Sequence, residues 1–293
     1  MKTQSDIEPA KTDTGGMLRG LRHRPASLMA LAFVLTLVLL AVFAPWVAPY
    51  DPYEQELLAR LQPPSAEHWL GTDDYGRDAL SRLIFGVQIS LTAAVQAVGL
   101  ALVLGLPLGV IAGYVGGGVD TVSTRIMDAL MSAPSLVLAI TIVAVLGSGI
   151  TNAMLAVGLV MTPRFFRVAR ASTMDVRHET YIESAVALGC RPSRVVVRHV
   201  LPNVLPPVVL VMSVSLGAAV AAEASLSFLG LGAKAPAASW GAMLSTAASN
   251  MQLASYLVWP PGMMIFLTVL AFTYLGDGVR RAMVRSRSGS EDG

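Results

Sequence analysis

The chain is poor in what a soluble catalyst uses. Its single cysteine, Cys190, excludes a disulfide framework and a cluster of thiolate ligands. Its four histidines, His23, His68, His178 and His199, are scattered, with no Ser/His/Asp order and no zinc-type spacing around them. Only 14% of the 293 residues are charged, against about 25% in an ordinary soluble domain. The phosphate-binding pattern Gly-x-x-x-x-Gly-Lys-Ser/Thr is absent. Gly230, Gly232 and Lys234 come nearest, but Ala233 precedes the lysine and Ala235 follows it. With 21 basic and 19 acidic residues the net charge is +2, which excludes the strongly basic surface of a nucleic-acid binder.

What the chain does have is apolar surface. Hydrophobic residues make up 54% and the mean hydropathy is +0.61. One soluble core of this length cannot hide so much, so it faces lipid. A spanning helix needs about 20 apolar residues, and three charge-free stretches, 25–50, 83–119 and 129–163, supply the first candidates. The first reads as a span over 28–44, not a cleaved leader, because Pro45 and Pro49 sit where a cleavage site is needed. The second places a span near 90–113. The third is too long for one span and is broken by Gly147, Ser148, Gly149 and Asn152, which predicts spans at 129–146 and 150–168. Two more fit 204–224 and 256–275. The expectation is an all-α polytopic protein with six transmembrane helices.

Arginine and lysine set the orientation. Alternate segments sum to 17 basic residues on one side and 4 on the other, so both termini are expected in the cytoplasm. The plan is a cytoplasmic tail over 1–27, a six-helix membrane domain over 28–282 and a second cytoplasmic tail over 283–293. Within it lie an external loop, 45–89, and a cytoplasmic loop, 164–203.

The external loop is rich in turn residues and gathers Asp73, Asp74, Arg77 and Asp78. It reads as a solvated loop with local ion pairs, and its carboxylate spacing does not supply a metal cage. In the second span Gly105, Gly109, Gly113 and Gly117 recur every four residues, a small-xxx-small stripe for close helix packing. Pro107 is expected to kink that helix. Asp128 and Glu223 lie near span boundaries and read as structural. No midplane carboxylate supports a proton- or sodium-driven carrier, so an energy source must come from a partner.

The cytoplasmic loop carries the candidate site. Tyr181–Leu188 reads as a short helix, Gly189 as its left-handed cap and Pro192 as the start of a second helix that Pro202 ends. Ala185, Val186 and Leu188 form an apolar ridge on this elbow. Such a ridge meets either a protein partner or the headgroups of anionic lipid.

At this loop the sequence resembles the permeases of bacterial binding-protein-dependent ABC importers. Glu183-Ser184-Ala185, Gly189 and His199-Val200-Leu201-Pro202-Asn203 match that family's signature, with Ser184 in place of its middle alanine. The match continues at His68-Trp69-Leu70-Gly71-Thr72-Asp73, Glu223–Gly232, Ser239-Trp240-Gly241 and Leu275-Gly276-Asp277-Gly278. It is similar to the second permease subunit of dipeptide, oligopeptide and nickel importers. The resemblance implies the type I ABC importer permease fold in the bacterial inner membrane. It also implies an ATPase-coupling loop containing Tyr181, Glu183, Ser184, Ala185, Leu188, Gly189, His199, Leu201 and Pro202. The implied partners are a homologous permease subunit, two ATP-binding subunits that hold ATP and Mg, an extracytoplasmic solute-binding protein and membrane lipid. The chain itself is expected to hold no cofactor or metal, to catalyse nothing and to bind no nucleic acid. The implied cargo is a di- or oligopeptide; nickel, another small solute, or a stand-alone secondary carrier are the alternatives.

Overall fold

The computed structural model describes residues 25–288, with side chains described for 26–281. The basic residues of the N-terminal tail, from Lys2 to Arg24, and the side chains of Arg285 and Arg287 lie outside these. Among the described residues the fold is helical, with one isolated bridge between Thr72 and Asp78. The helices are α1 (Pro25–Val47), α2 (Ala79–Val115), α3 (Gly117–Met131), α4 (Ser135–Leu146), α5 (Ile150–Arg177), α6 (Thr180–Ala187), α7 (Pro192–Phe228), α8 (Trp240–Ser249) and α9 (Trp259–Ser288). Among the described residues four segments are long and apolar enough to cross a membrane by themselves: α1, α2, α7 and Ser255–Arg281, which includes most of α9.

Three expected spans take a different form. The second begins at Ala79, not near 90, because its first turn is capped and its one charge there is buried. Asp78 Oδ2 accepts the Ser81 N–H at 2.7 Å, and Arg82 is buried against Asp73 at 3.2 Å. Residues 48–78, not 45–89, therefore connect α1 to α2. In place of the third expected span stand two helices, α3 and α4, meeting at 91°. Pro134 forces the residue before it out of the helical region, and α4, with 12 residues, is about 18 Å long against about 30 Å of hydrocarbon. The fourth expected span lies inside α5. That helix is long enough to cross, but Arg164, Arg167 and Arg170 in its second half keep it below the apolarity of the others. Arg164 and Arg167 are exposed and Arg170 is half-buried, off the face that packs on α2 and α7, and the latter two are paired with Asp128 and Asp120 of α3.

The core is built on α2 against α5, the most extensive helix pair. Gly105, Gly109 and Gly113 are buried there, facing the α5 backbone around Thr162, Phe166 and Arg170. Gly117 departs from the expected stripe. It lies beyond the helix end at φ +56°, where with Gly116 at +70° it turns the chain into α3. α2 runs unbroken through Pro107. The Arg170 guanidinium forms a two-point ion pair with Asp120, with Nη2 to Oδ2 at 2.6 Å, and Arg167 meets Asp128 at 2.7 Å. These two pairs strap α3 to α5.

Candidate functional site

The elbow between α5 and α7 forms as a helix–glycine–helix. α5 continues to Arg177 and α7 starts at Pro192, so residues 178–191 protrude from the two long helices. α6 is held by Ile182, which is buried and joins the main core with Val195 and Val200. Its C-terminus is a Schellman motif. The Cys190 N–H donates to Ala185 O at 3.1 Å and the Gly189 N–H to Val186 O at 2.9 Å, with Gly189 at φ +80°. Leu188, just before the glycine, is 86% exposed, and Val186 is also exposed. Ala185 is half-buried. The apolar ridge is thus Val186 and Leu188, on a turn with fixed geometry.

The other site residues tie α6 to the start of α7. Asn203 Nδ2 donates to Tyr181 Oη at 3.1 Å and to His199 O at 2.7 Å, and the Tyr181 and His199 rings meet edge-on at 6.4 Å. Partial burial, and then Glu179, push the Tyr181 phenol above its ordinary value. Ser184 Oγ donates to Thr180 O at 2.8 Å, and Glu183 lies exposed in the first turn of α6. Leu201 is half-buried.

Pro202 does not end a helix. Residues 196–200 form a π turn in which the Leu201 N–H donates to Val196 O, and the helix continues to Phe228. The wider turn absorbs the missing Pro202 N–H. Asn203 was not foreseen as a link between the two arms; its place directly after Pro202 was the available signal.

The external loop differs from the solvated segment expected. Asp73, Arg77, Asp78 and Arg82 are all buried. Asp73 accepts Arg77 Nε at 2.7 Å, and Arg82 Nη1 donates to Pro52 O at 3.0 Å and Pro236 O at 3.4 Å. His68 Nδ1 lies 3.0 Å from Asp78 Oδ1. Arg82 thereby joins the 48–78 and 229–239 connections to the head of α2. Asp74 is the ill-placed member. Burial, and then repulsion from Asp73, hold its carboxyl above the usual carboxylate range, only partly offset by Arg77 at 3.7 Å. A raised carboxyl pKa means that the native state keeps its proton longer than the unfolded chain. Asp74 therefore costs stability as pH rises through its native pKa, and the cost is full at neutral pH. Asp74→Asn should raise the thermal midpoint in detergent at pH 7 by on the order of 2 °C. The gain should vanish at a pH below the ordinary aspartate value.

Glu223 is fully buried near the C-terminal end of α7. It accepts Ser227 Oγ at 2.6 Å and Ser90 Oγ at 3.2 Å. Those hydroxyls accept in turn the Ala233 N–H at 3.0 Å and the Trp240 N–H at 3.4 Å. The carboxylate thus gathers α2, α7 and the 229–240 connection.

The described residues thus form a helical domain with apolar spans, an internally pinned 48–78 connection and an exposed apolar-tipped elbow between α5 and α7. Comparison with known proteins identifies the family. The profile of the binding-protein-dependent transport system inner membrane component matches residues 105–288, and that of the N-terminal transmembrane domain of oligopeptide transport permease C matches 14–64. The dipeptide transport system permease protein DppC of Alkalihalophilus pseudofirmus is 41% identical over 90% of this chain and 86% of its own length. The glutathione transport system permease protein GsiD of Escherichia coli is 43% identical over 90% of this chain and 88% of its own. An inward-facing structure of the MetNI methionine ABC transporter shares the fold, with a TM-score of 0.54 at 20% identity, over 69% of this chain and 96% of that one. The chain belongs to the binding-protein-dependent inner membrane component family and is a multi-pass permease subunit of an ABC importer.

Proposed function

We propose that this subunit forms half of a pathway for di- or oligopeptides and is driven through the elbow at 181–203. The rigid, apolar-tipped elbow carries the reading: Leu188 is exposed at a position that a Schellman turn fixes. An apolar side chain presented this way gains free energy only when a partner covers it. The partner is an ATP-binding subunit, two of which hold ATP and Mg and supply the energy. The remaining partners are a homologous permease and an extracytoplasmic solute-binding protein. This chain supplies no catalytic group, and both its termini lie in the cytoplasm, with residues 48–78 outside. The peptide assignment rests on the relatives named for dipeptide and for glutathione, both short peptides. A nickel cargo has no such support.

Gly189→Pro and Glu183→Arg test the elbow. Proline fixes φ near −65° and cannot adopt +80°; a Cβ alone would meet no neighbour within 4 Å, so the damage is confined to the turn. Both variants should insert into the membrane at normal levels, lose co-purifying ATPase and lose transport. Unchanged transport by both removes the coupling role. Uptake of di- and longer peptides against nickel, in liposomes holding the complete system, decides the cargo.

A further inference from the structure

We propose that the 3-10 turn Leu57–Ala59 is the apolar anchor on which the solute-binding protein seats, and that the binding protein meets it with an apolar socket rimmed by basic residues. The proposal deepens the function proposed above and rests on its orientation, with residues 48–78 outside. Leu58 is 95% exposed and Leu57 65%. Neither is displaced by local looseness, because the turn is pinned from below. Ala59 is buried and its carbonyl accepts Thr72 Oγ1. The Leu61 N–H donates to Asp73 O at 3.0 Å, the Gln62 N–H to Thr72 Oγ1 at 2.9 Å, and Tyr256 Oη to Gln62 O at 2.6 Å. Thr72 and Asp73 are buried and Asp73 pairs with Arg82, so the two leucines stand on a turn that is tied to a buried network.

Charge decides what covers them. The exposed side chains of this loop include four carboxylates, Asp51, Glu54, Glu56 and Glu67, against one guanidinium, Arg60. Such a rim opposes approach to anionic lipid headgroups. It also differs from a permanent subunit interface, which is larger and more apolar. An apolar centre inside a charged rim is the anatomy of a contact that forms and releases, with the rim speeding encounter with a partner of opposite sign.

The test uses the assembled transporter in cells, with a photoreactive amino acid at position 58 and mass-spectrometric identification of the adduct. The expected adduct is the solute-binding protein encoded with the transporter. In proteoliposomes, Leu58→Asp should weaken binding of that protein about tenfold or more and remove its stimulation of ATP hydrolysis. Basal hydrolysis and ATPase co-purification should be unchanged. Glu56→Lys should weaken binding less and flatten its salt dependence. An adduct to the homologous permease or to lipid, or undiminished binding by Leu58→Asp, overturns the proposal. Leu58→Cys separates the two failures. If an impermeant maleimide does not label it from outside, the orientation is wrong and the docking site falls with it. If it is labelled and no adduct forms, the docking site alone is wrong.

Discussion

Gly109→Leu is expected to prevent stable assembly of the membrane domain. A Cβ at position 109 would lie 2.5 Å from Phe166 O, 2.8 Å from Ala169 Cβ and 3.0 Å from Arg170 N. Two of these are backbone atoms of α5, which no rotamer change can move aside. The contact is reciprocated, since a Cβ on Gly158 of α5 would meet Ala97 O of α2 at 2.8 Å. Overpacking in cores that can adjust costs about 1–3 kcal/mol. Here a whole leucine is forced between two backbones along the largest helix contact, and the cost should exceed about 3 kcal/mol. The measurement is membrane yield and thermal midpoint in detergent. Gly99→Leu is the matched control: it lies on the same helix, but its Cβ would meet nothing within 4 Å, so its midpoint should stay within error of the parent. Equal losses at the two positions would show that helix flexibility, not close approach, explains these glycines.

Much of this architecture was legible because lipid imposes simple demands. Charge-free stretches located α1, the interior of α2 and α7 and the apolar part of α9, since every such segment must hide its backbone polar groups in a helix. The elbow was legible for a different reason: Gly189 reaches the left-handed region without a Cβ penalty and Pro192 has its φ already set for a first helical turn, so two residues specified the turn. What remained hidden depends on contacts distant in sequence. A search for charge-free residues stops at Arg82, although Asp73 and the carbonyls of Pro52 and Pro236 allow α2 to contain it. The same contacts turn a loop that looks solvated into a buried network. The break between α3 and α4 lies inside the charge-free stretch 129–163, where Pro134 is its mark. The continuation of α7 through Pro202 needed a π turn, which has no sequence pattern. Arginines 167 and 170 made α5 look like the end of a span, and Asp120 and Asp128 on α3 show why they can stay in it.

Glu223 supplies the second large effect, and the outcome depends on which property of the side chain is removed. The residue is fully buried and bonded to Ser90 and Ser227, whose oxygens already accept the Trp240 and Ala233 N–H groups. Glu223→Leu leaves both hydroxyl hydrogens without an acceptor in a dry site. At about 1–3 kcal/mol for each buried unsatisfied group, the loss should be about 4 kcal/mol, and the variant should misassemble. Glu223→Gln keeps the shape and one acceptor oxygen. Its amide can donate to the free lone pair of the second serine, so the midpoint should fall by only a few degrees, with transport retained. Ser90→Ala should fall between them, because it removes one hydroxyl and leaves the Trp240 N–H to find another acceptor. If Glu223→Gln assembles at the parental level and yet transports nothing, the carboxylate's charge or proton takes part in the cycle. Joining α2, α7 and the Trp240 connection would then be only part of its role.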